Sequence, residues 1–187
     1  MSTITRPGGR TERTRTAVLG AAFTITAEVG YGGLSIEAIA ERSGIHKTTI
    51  YRRWGSVDAI LFDAIVSRAE SAVLLPSTGD ARADLNAMAR SVAENLEDPM
   101  SRAVAAAALS GTGDGSLKEL SDRFWDDRIG KAAEIVKAGQ KEGQIDAKLD
   151  PSVVVVEIIG PIWFRVMVLQ VLVDRSFIEA LVDGAIR

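Results

Sequence analysis

Cysteine is absent from this chain, and histidine occurs once, at His46. The first absence excludes disulfides, thiolate metal sites, iron–sulfur clusters and cysteine nucleophiles. The second excludes a histidine-rich metal site and would force any Ser-His-Asp triad onto one residue. The first residues are rich in Thr, Gly and Arg and carry no apolar core of a signal peptide, so a cytoplasmic location is expected. Alternating strand patterns, hairpin dipeptides and repeats of fixed period are also missing. One stretch, Ser152 to Val173, has about the length needed to span a bilayer. It contains Glu157, Pro161, Arg165 and Gln170, which fits a helix buried between other helices and not a membrane segment.

What remains is a balanced soluble composition: 187 residues, 47% hydrophobic and 25% charged, enough for one large domain or two small ones. The net charge of −3 hides an asymmetry. Met1 to Trp54 carries Arg6, Arg10, Arg13, Arg15, Arg42, Lys47, Arg52 and Arg53 against Glu12, Glu28, Glu37 and Glu41. That portion is therefore +4 and the rest −7. A basic end on an acidic body points to a polyanion at that end.

Apolar spacing and breakers predict an all-α fold of about nine helices. Residues 1–10, with Pro7-Gly8-Gly9, read as a flexible basic arm. A helix runs from Glu12 to Val29, closed by Gly30. Ser35 caps a short helix with Ile36, Ile39 and Ala40 buried and Glu37 in the first turn. Gly44 breaks it, a second short helix runs from about His46 to Trp54, and a longer one from Val57 toward Leu75. Further helices are expected near 80–97, 100–110, 116–142, 151–173 and 175–187. Pro151 behind Asp150 suits a helix start. The run Val153–Val156 favours a strand by propensity, but it continues into an apolar segment too long for one. The loop Gly111–Ser116 lacks the strand and the Gly-Lys-Ser/Thr ending of a phosphate loop. Asp122, Asp126 and Asp127 read as a solvated acidic face, so no metal and no cofactor are expected.

The informative stretch is Ser35 to Trp54, SIEAIAERSGIHKTTIYRRW: short helix, tight turn, short helix. The second helix has Ile45 and Ile50 to anchor it, and a polar, basic remainder that suits a major groove. Lys47 and Thr48, at its N-terminal end, are placed to read base edges. His46 suits a base or a phosphate. Thr49, Tyr51 and Arg52 suit phosphates, and the helix start at Ser35 offers backbone N–H groups to another. Arg6, Arg10, Arg13 and Arg15 lie on or before the first helix, where an arm tracks the backbone or enters the minor groove. Arg53 is assigned to solvent or an ion pair, and Trp54 to the core.

Residues 12–62 resemble the DNA-binding domain of TetR-family transcriptional regulators. The likeness runs through Val18–Ala22, Glu28–Tyr31, Ser35–Ala40 and Ser43–Ile45. It is densest at Lys47–Trp54 and closes with Ser56–Leu61. Two positions depart from the family pattern: Val57 replaces a frequent lysine that sometimes carries a phosphate contact, and Arg53-Trp54 replaces a common His-Phe pair. The body has a weaker likeness at Gly160–Arg165.

The resemblance implies a homodimer with an N-terminal three-helix DNA-binding domain (11–55) and a C-terminal effector-binding and dimerisation domain (56–187). It also implies a pairing of the last two long helices, 151–173 and 175–187, into a four-helix interface. A small-molecule effector is expected to lower affinity for a double-stranded, pseudo-palindromic operator. Apolar faces as extensive as these two helices carry are naturally buried in an isologous dimer. Phe62, Met88, Trp125, Trp163 and Phe164 are the bulky residues assigned to an effector pocket, since such sites are mostly apolar. Arg165 is expected to meet an anionic ligand, Glu157 or an acid across the interface. An effector-independent DNA-binding factor is the alternative. An all-helical enzyme has little to build on, and the chain is read as not an enzyme.

Overall fold

Helix boundaries fall where side-chain chemistry supplies or removes a backbone partner. In the computed structural model, which describes residues 9–99, 101–102, 105–106 and 115–187, eight α-helices carry the fold. Helix α1 spans Gly9–Val29 and opens before the expected start at Glu12. A short turn at Tyr31–Gly33 leads to α2, Ile36–Ser43. The Ser35 hydroxyl accepts the Ala38 N–H at 3.1 Å and so caps α2. Gly44 ends it in the left-handed region at φ 68°, where a β-carbon would be strained. Helix α3, Lys47–Trp54, starts after His46 and ends at Gly55, also at positive φ. Helix α4, Val57–Ala72, follows Ser56, whose hydroxyl accepts the Ala59 N–H at 3.1 Å.

The body is built from α5 (Ala81–Glu97), α6 (Gly115–Lys141), α7 (Pro151–Trp163) and α8 (Arg175–Ala185). Asp80, Asp150 and Asp174 cap α5, α7 and α8 respectively. The Val153–Val156 run is helical, as its continuation required. Most of the helix expected at 100–110, and the Gly111–Ser116 loop apart from Gly115 and Ser116 at the start of α6, lie outside the described residues. The described parts, 101–102 and 105–106, are helical. Residues 1–8 of the expected arm lie outside them too, while Gly9 and Arg10 already belong to α1.

The helix expected over 151–173 is shorter. Pro161 has no N–H to give to the preceding turn. Within one turn the ladder widens into a π segment at Phe164–Val168, where the Leu169 N–H reaches back to the Phe164 carbonyl at 3.1 Å. Gln170 then turns at φ 55° and the chain leaves the helix before α8. Arg165 serves this exit. Its Nε donates to the Leu172 carbonyl at 3.0 Å, and its guanidinium lies 4.5 Å from the Phe177 ring centre. Within the chain it therefore pairs with backbone and an aromatic face, not with Glu157. Glu97 holds the same segment by accepting the Val173 N–H at 2.8 Å.

Two cores result. The N-terminal one joins Val18, Ala22 and Ile25 of α1, Ile36 and Ile39 of α2, Ile50 of α3, and Ile60, Leu61 and Ala64 of α4. The body core joins Leu85, Met88 and Leu96 of α5, Ala132 and Val136 of α6, Val155, Ile158 and Ile162 of α7, and Ile178 and Val182 of α8. Helix α4 belongs to the first core at its start and runs to the body at its end. It is the physical link between the two.

Candidate nucleic-acid interface and effector cavity

The second helix of the pair is anchored on the core by Ile50 and Trp54 and is exposed over most of its remaining surface. Ile50 is fully buried in the N-terminal core, and burying such a side chain contributes about 1.5–3 kcal/mol. His46, Lys47, Thr48, Tyr51, Arg52 and Arg53 are exposed, and Thr49 is partly so. Tyr51 presents nearly half of its surface, 47%, to solvent. Ser35 sits half-buried, its hydroxyl spent on its own cap. Two turns of helix thus carry an ammonium, a guanidinium and several hydroxyls on the outward side.

What holds α3 in place is a network that sequence spacing alone did not expose. Asp63, on α4, accepts from Arg15 Nη2 at 2.6 Å and Nε at 3.3 Å, and from Trp54 Nε1 at 2.9 Å. The carboxylate therefore joins α1, α3 and α4. The hydrogen bond to Asp63 is the main reason the Arg15 guanidinium is held above its ordinary pKa. Arg15 is accordingly a positioning residue, bound to Asp63, and not part of the expected DNA-tracking arm. Its register contained the signal: it stands three residues before Val18 on the buried stripe of α1. Arg53 is also engaged internally, donating to the Thr11 carbonyl at 3.0 Å and lying over the Trp54 ring. Tyr31 donates to Asp58, pinning the turn after α1 to α4; that bond is the main cause of the tyrosine's raised pKa.

A second site lies in the body. A cavity of about 90 Å³ opens where α1, α4, α5, α6 and α7 meet. Met88, Trp125 and Trp163, three of the five residues assigned to a pocket, line it. Phe62 stands behind the wall: its ring meets Phe124 edge-on at 5.8 Å, and Phe124 lines the cavity. Phe164 does not line it and is 55% exposed, because helical spacing after Val156 and Gly160 sets it on the outer stripe. The aromatic row continues from Phe124 to Trp125 at 5.1 Å and from Trp125 to Trp163 at 5.5 Å, all edge-on.

Spacing had not marked the polar groups of this wall: Arg68, Asn95, Ser101 and Arg128. Arg68 donates from Nε to Ser101 Oγ at 3.2 Å, and its Nη2 lies 3.6 Å from Asp98 Oδ2. The side-chain oxygen of Asn95 is buried and accepts no hydrogen bond among the described residues. Phe23 of α1 also lines the cavity, so the DNA-binding portion forms part of its wall. Asp127, one of the three acids of α6 read as a solvated face, pairs with Lys131 at 2.6 Å.

An exposed, cation- and hydroxyl-bearing second helix on a three-helix head, joined to an all-helical body with a cavity, defines a helix-turn-helix regulator. Residues 18–64 match the model of the bacterial regulatory proteins of the tetR family, and residues 75–185 match that of the tetracyclin repressor-like C-terminal domain. The chain belongs to the TetR family of transcriptional regulators. The HTH-type transcriptional regulator YdeS of Bacillus subtilis (strain 168) is 29% identical over 179 residues, covering 95% of this chain and 90% of that one. AqdR of Rhodococcus erythropolis is 27% identical over 151 residues, covering 81% and 73%. Among solved structures, the TetR family transcription regulator SCO0332 superposes with a TM-score of 0.77 at 29% identity, covering 93% of this chain and 97% of that one.

Proposed function

We propose that this regulator is a ligand-responsive repressor that binds a pseudo-palindromic operator as a homodimer and releases it when a small molecule fills the body cavity. The observation that carries the DNA contact is the division of α3 into a buried anchor, Ile50, and an exposed face, His46 to Arg52. Lys47 and Thr48 read base edges near the helix start. Thr49, Tyr51, Arg52 and the α2 start at Ser35 position the phosphates.

The dimer reading rests on the outward side of α7. Val153, Val156, Gly160, Phe164 and Val168 recur at spacings of three or four residues and are all exposed. The 18-residue stretch Pro151–Val168 is long and apolar enough to cross a membrane, yet only 28% of it is buried in the single chain. Beside it α8 exposes Ser176, Ala180 and Gly184, small residues at four-residue spacing that let helices approach closely. A second copy covers such a face isologously, and the partner of this surface is read as protein and not lipid. A cytoplasmic location follows from the operator.

Ligand response is supported by the cavity's position. It touches Phe23 of α1 and Ile65 and Arg68 of α4, so occupancy displaces the link between head and body. Effector and DNA then weaken each other by the same factor. An effector-independent factor has no use for such a cavity. An enzyme is disfavoured because the one histidine lies on the DNA face. The test is selection of bound genomic fragments followed by footprinting of the purified protein. Two protected half-sites related by a dyad, lost in Lys47→Ala, are expected; a non-specific footprint overturns the reading.

A further inference from the structure

We infer that the effector is a compact organic anion, an apolar body carrying one carboxylate, which pairs with Arg128 and competes with Asp98 for Arg68. This rests on the ligand-responsive reading and names the chemical class that the same cavity selects.

The cavity wall is mostly carbon, with Met88, Trp125, Trp163 and Val155 among its members. Two arginines nevertheless line it, Arg68 from α4 and Arg128 from α6. Arg128 is partly buried, and no carboxylate among the described residues forms an ion pair with it within 4.0 Å. Desolvation is the main influence on it and pulls its pKa below the ordinary arginine value, against weaker, raising influences from Glu70 and Asp127. A neutral body filling the space would strip more water from this charge and return nothing, and a cationic one would add repulsion. The site therefore discriminates against both. A carboxylate returns two charge-assisted hydrogen bonds in the planar geometry guanidinium favours.

Arg68 supplies the second cation and the coupling. Its pair with Asp98, at 3.6 Å, is longer than the roughly 2.7–2.9 Å of a charge-assisted hydrogen bond. Asp98 keeps its own anchor, the Ser101 N–H at 2.8 Å, when Arg68 moves. The Arg68 guanidinium also lies 5.7 Å from the ring centre of Phe23 on α1. A ligand carboxylate that draws Arg68 inward thus acts on α4 and α1 together. A cavity of about 90 Å³ is several times the roughly 10–15 Å³ that one water-sized group needs, which suits a compact ligand.

The test titrates the full chain with benzoate and hexanoate, with their neutral amides benzamide and hexanamide, and with benzylammonium. Calorimetry and the fluorescence of Trp125 and Trp163 report binding, and a mobility shift with the selected operator reports release. Both acids are expected to bind at least tenfold tighter than their amides, with benzylammonium weakest. Arg128→Gln is expected to reduce the acid preference to within about twofold while leaving amide affinity in place. Should that variant fail to fold, the wild-type ranking and its weakening with salt decide alone.

Equal affinity of acids and amides, no acid binding up to 10 mM, or an acid preference that survives Arg128→Gln overturns the inference. Amides that bind as well as acids and still release the operator would remove the anion assignment and leave the ligand-responsive reading standing. Acids that bind tenfold tighter without affecting the operator would do the reverse.

Discussion

Removing the Asp63 carboxylate should loosen the recognition helix at its base. Asp63→Ala deletes the 2.6 Å bond from Arg15, the longer 3.3 Å bond, and the 2.9 Å bond from Trp54. Each hydrogen bond to a charged group contributes about 1.5–3 kcal/mol net, which covers both the Arg15 and the Trp54 bond, and the 3.3 Å contact adds little. The Arg15 and Asp63 side chains are 23% and 27% exposed, so screening brings the loss below the roughly 3–5 kcal/mol of a fully buried broken pair. The expected loss is about 2–4 kcal/mol, or about 5–15 °C in Tm for a chain of this size. Asp63→Asn keeps an oxygen for Trp54 Nε1 but not the charge for Arg15, and should cost about half as much. Thermal melts by circular dichroism measure both. Asp127→Ala is the control: its 2.6 Å pair with Lys131 is half exposed on each side, so its loss should stay below about 1 kcal/mol. Operator affinity of Asp63→Ala should fall as well, because α3 is no longer held ready for the groove. A melt of Asp63→Ala matching that of Asp127→Ala would refute the claim that this carboxylate organises the DNA-binding head.

Lys47→Ala should weaken operator binding by about 1–3 kcal/mol, as for a base-reading contact, and Tyr51→Phe should weaken it through a lost phosphate contact, while both melting curves stay within about 2 °C of wild type; gel shifts unchanged by both would mean that the exposed face of α3 does not meet DNA. Ser35→Ala removes the 3.1 Å cap on α2 and should cost about 0.5–2 kcal/mol in urea denaturation, with an unchanged midpoint counting against the cap's role. Val156→Glu places a charge in the exposed apolar stripe of α7 and should shift the protein to monomer in light scattering without unfolding it; a persistent dimer would place the interface elsewhere. Asp98 is held below the ordinary carboxylate pKa, chiefly by hydrogen bonds from Ser101. Its contribution is therefore intact at neutral pH and lost as pH falls through the acid range below about 4, and Asp98→Asn should flatten that limb of stability between pH 7 and 3.

Much of the head was legible because its determinants lie within one helical turn of each other. The Ser35 cap and the αL turn at Gly44 depend on nearest neighbours, and so does the placing of Ile50 opposite Thr48 and Arg52. The apolar run after Pro151 was also visible, but its end was not. The helix stops where a π widening, Arg165 and the distant Glu97 together make an exit, and those partners meet only after packing. Phe164 falls outside the cavity for another reason: hydrophobicity marks a residue for burial, while its spacing from Val156 and Gly160 sets it on the outward stripe.

The four arginines that matter most divide in the same way. Arg15, Arg68 and Arg128 each stand in helical register with buried neighbours, which marks them as lying at a wall. Composition could not say that Arg15 meets Asp63 or that Arg68 and Arg128 converge on one cavity, and it could not say that Arg165 turns back to a carbonyl. The amino-acid order by itself determined the helices, their caps and the outward face of α3, since backbone geometry and side-chain spacing act locally. Only the tertiary structure decided which charges pair and which line a cavity, because a charge's partner is set by the packing of helices far apart in the chain.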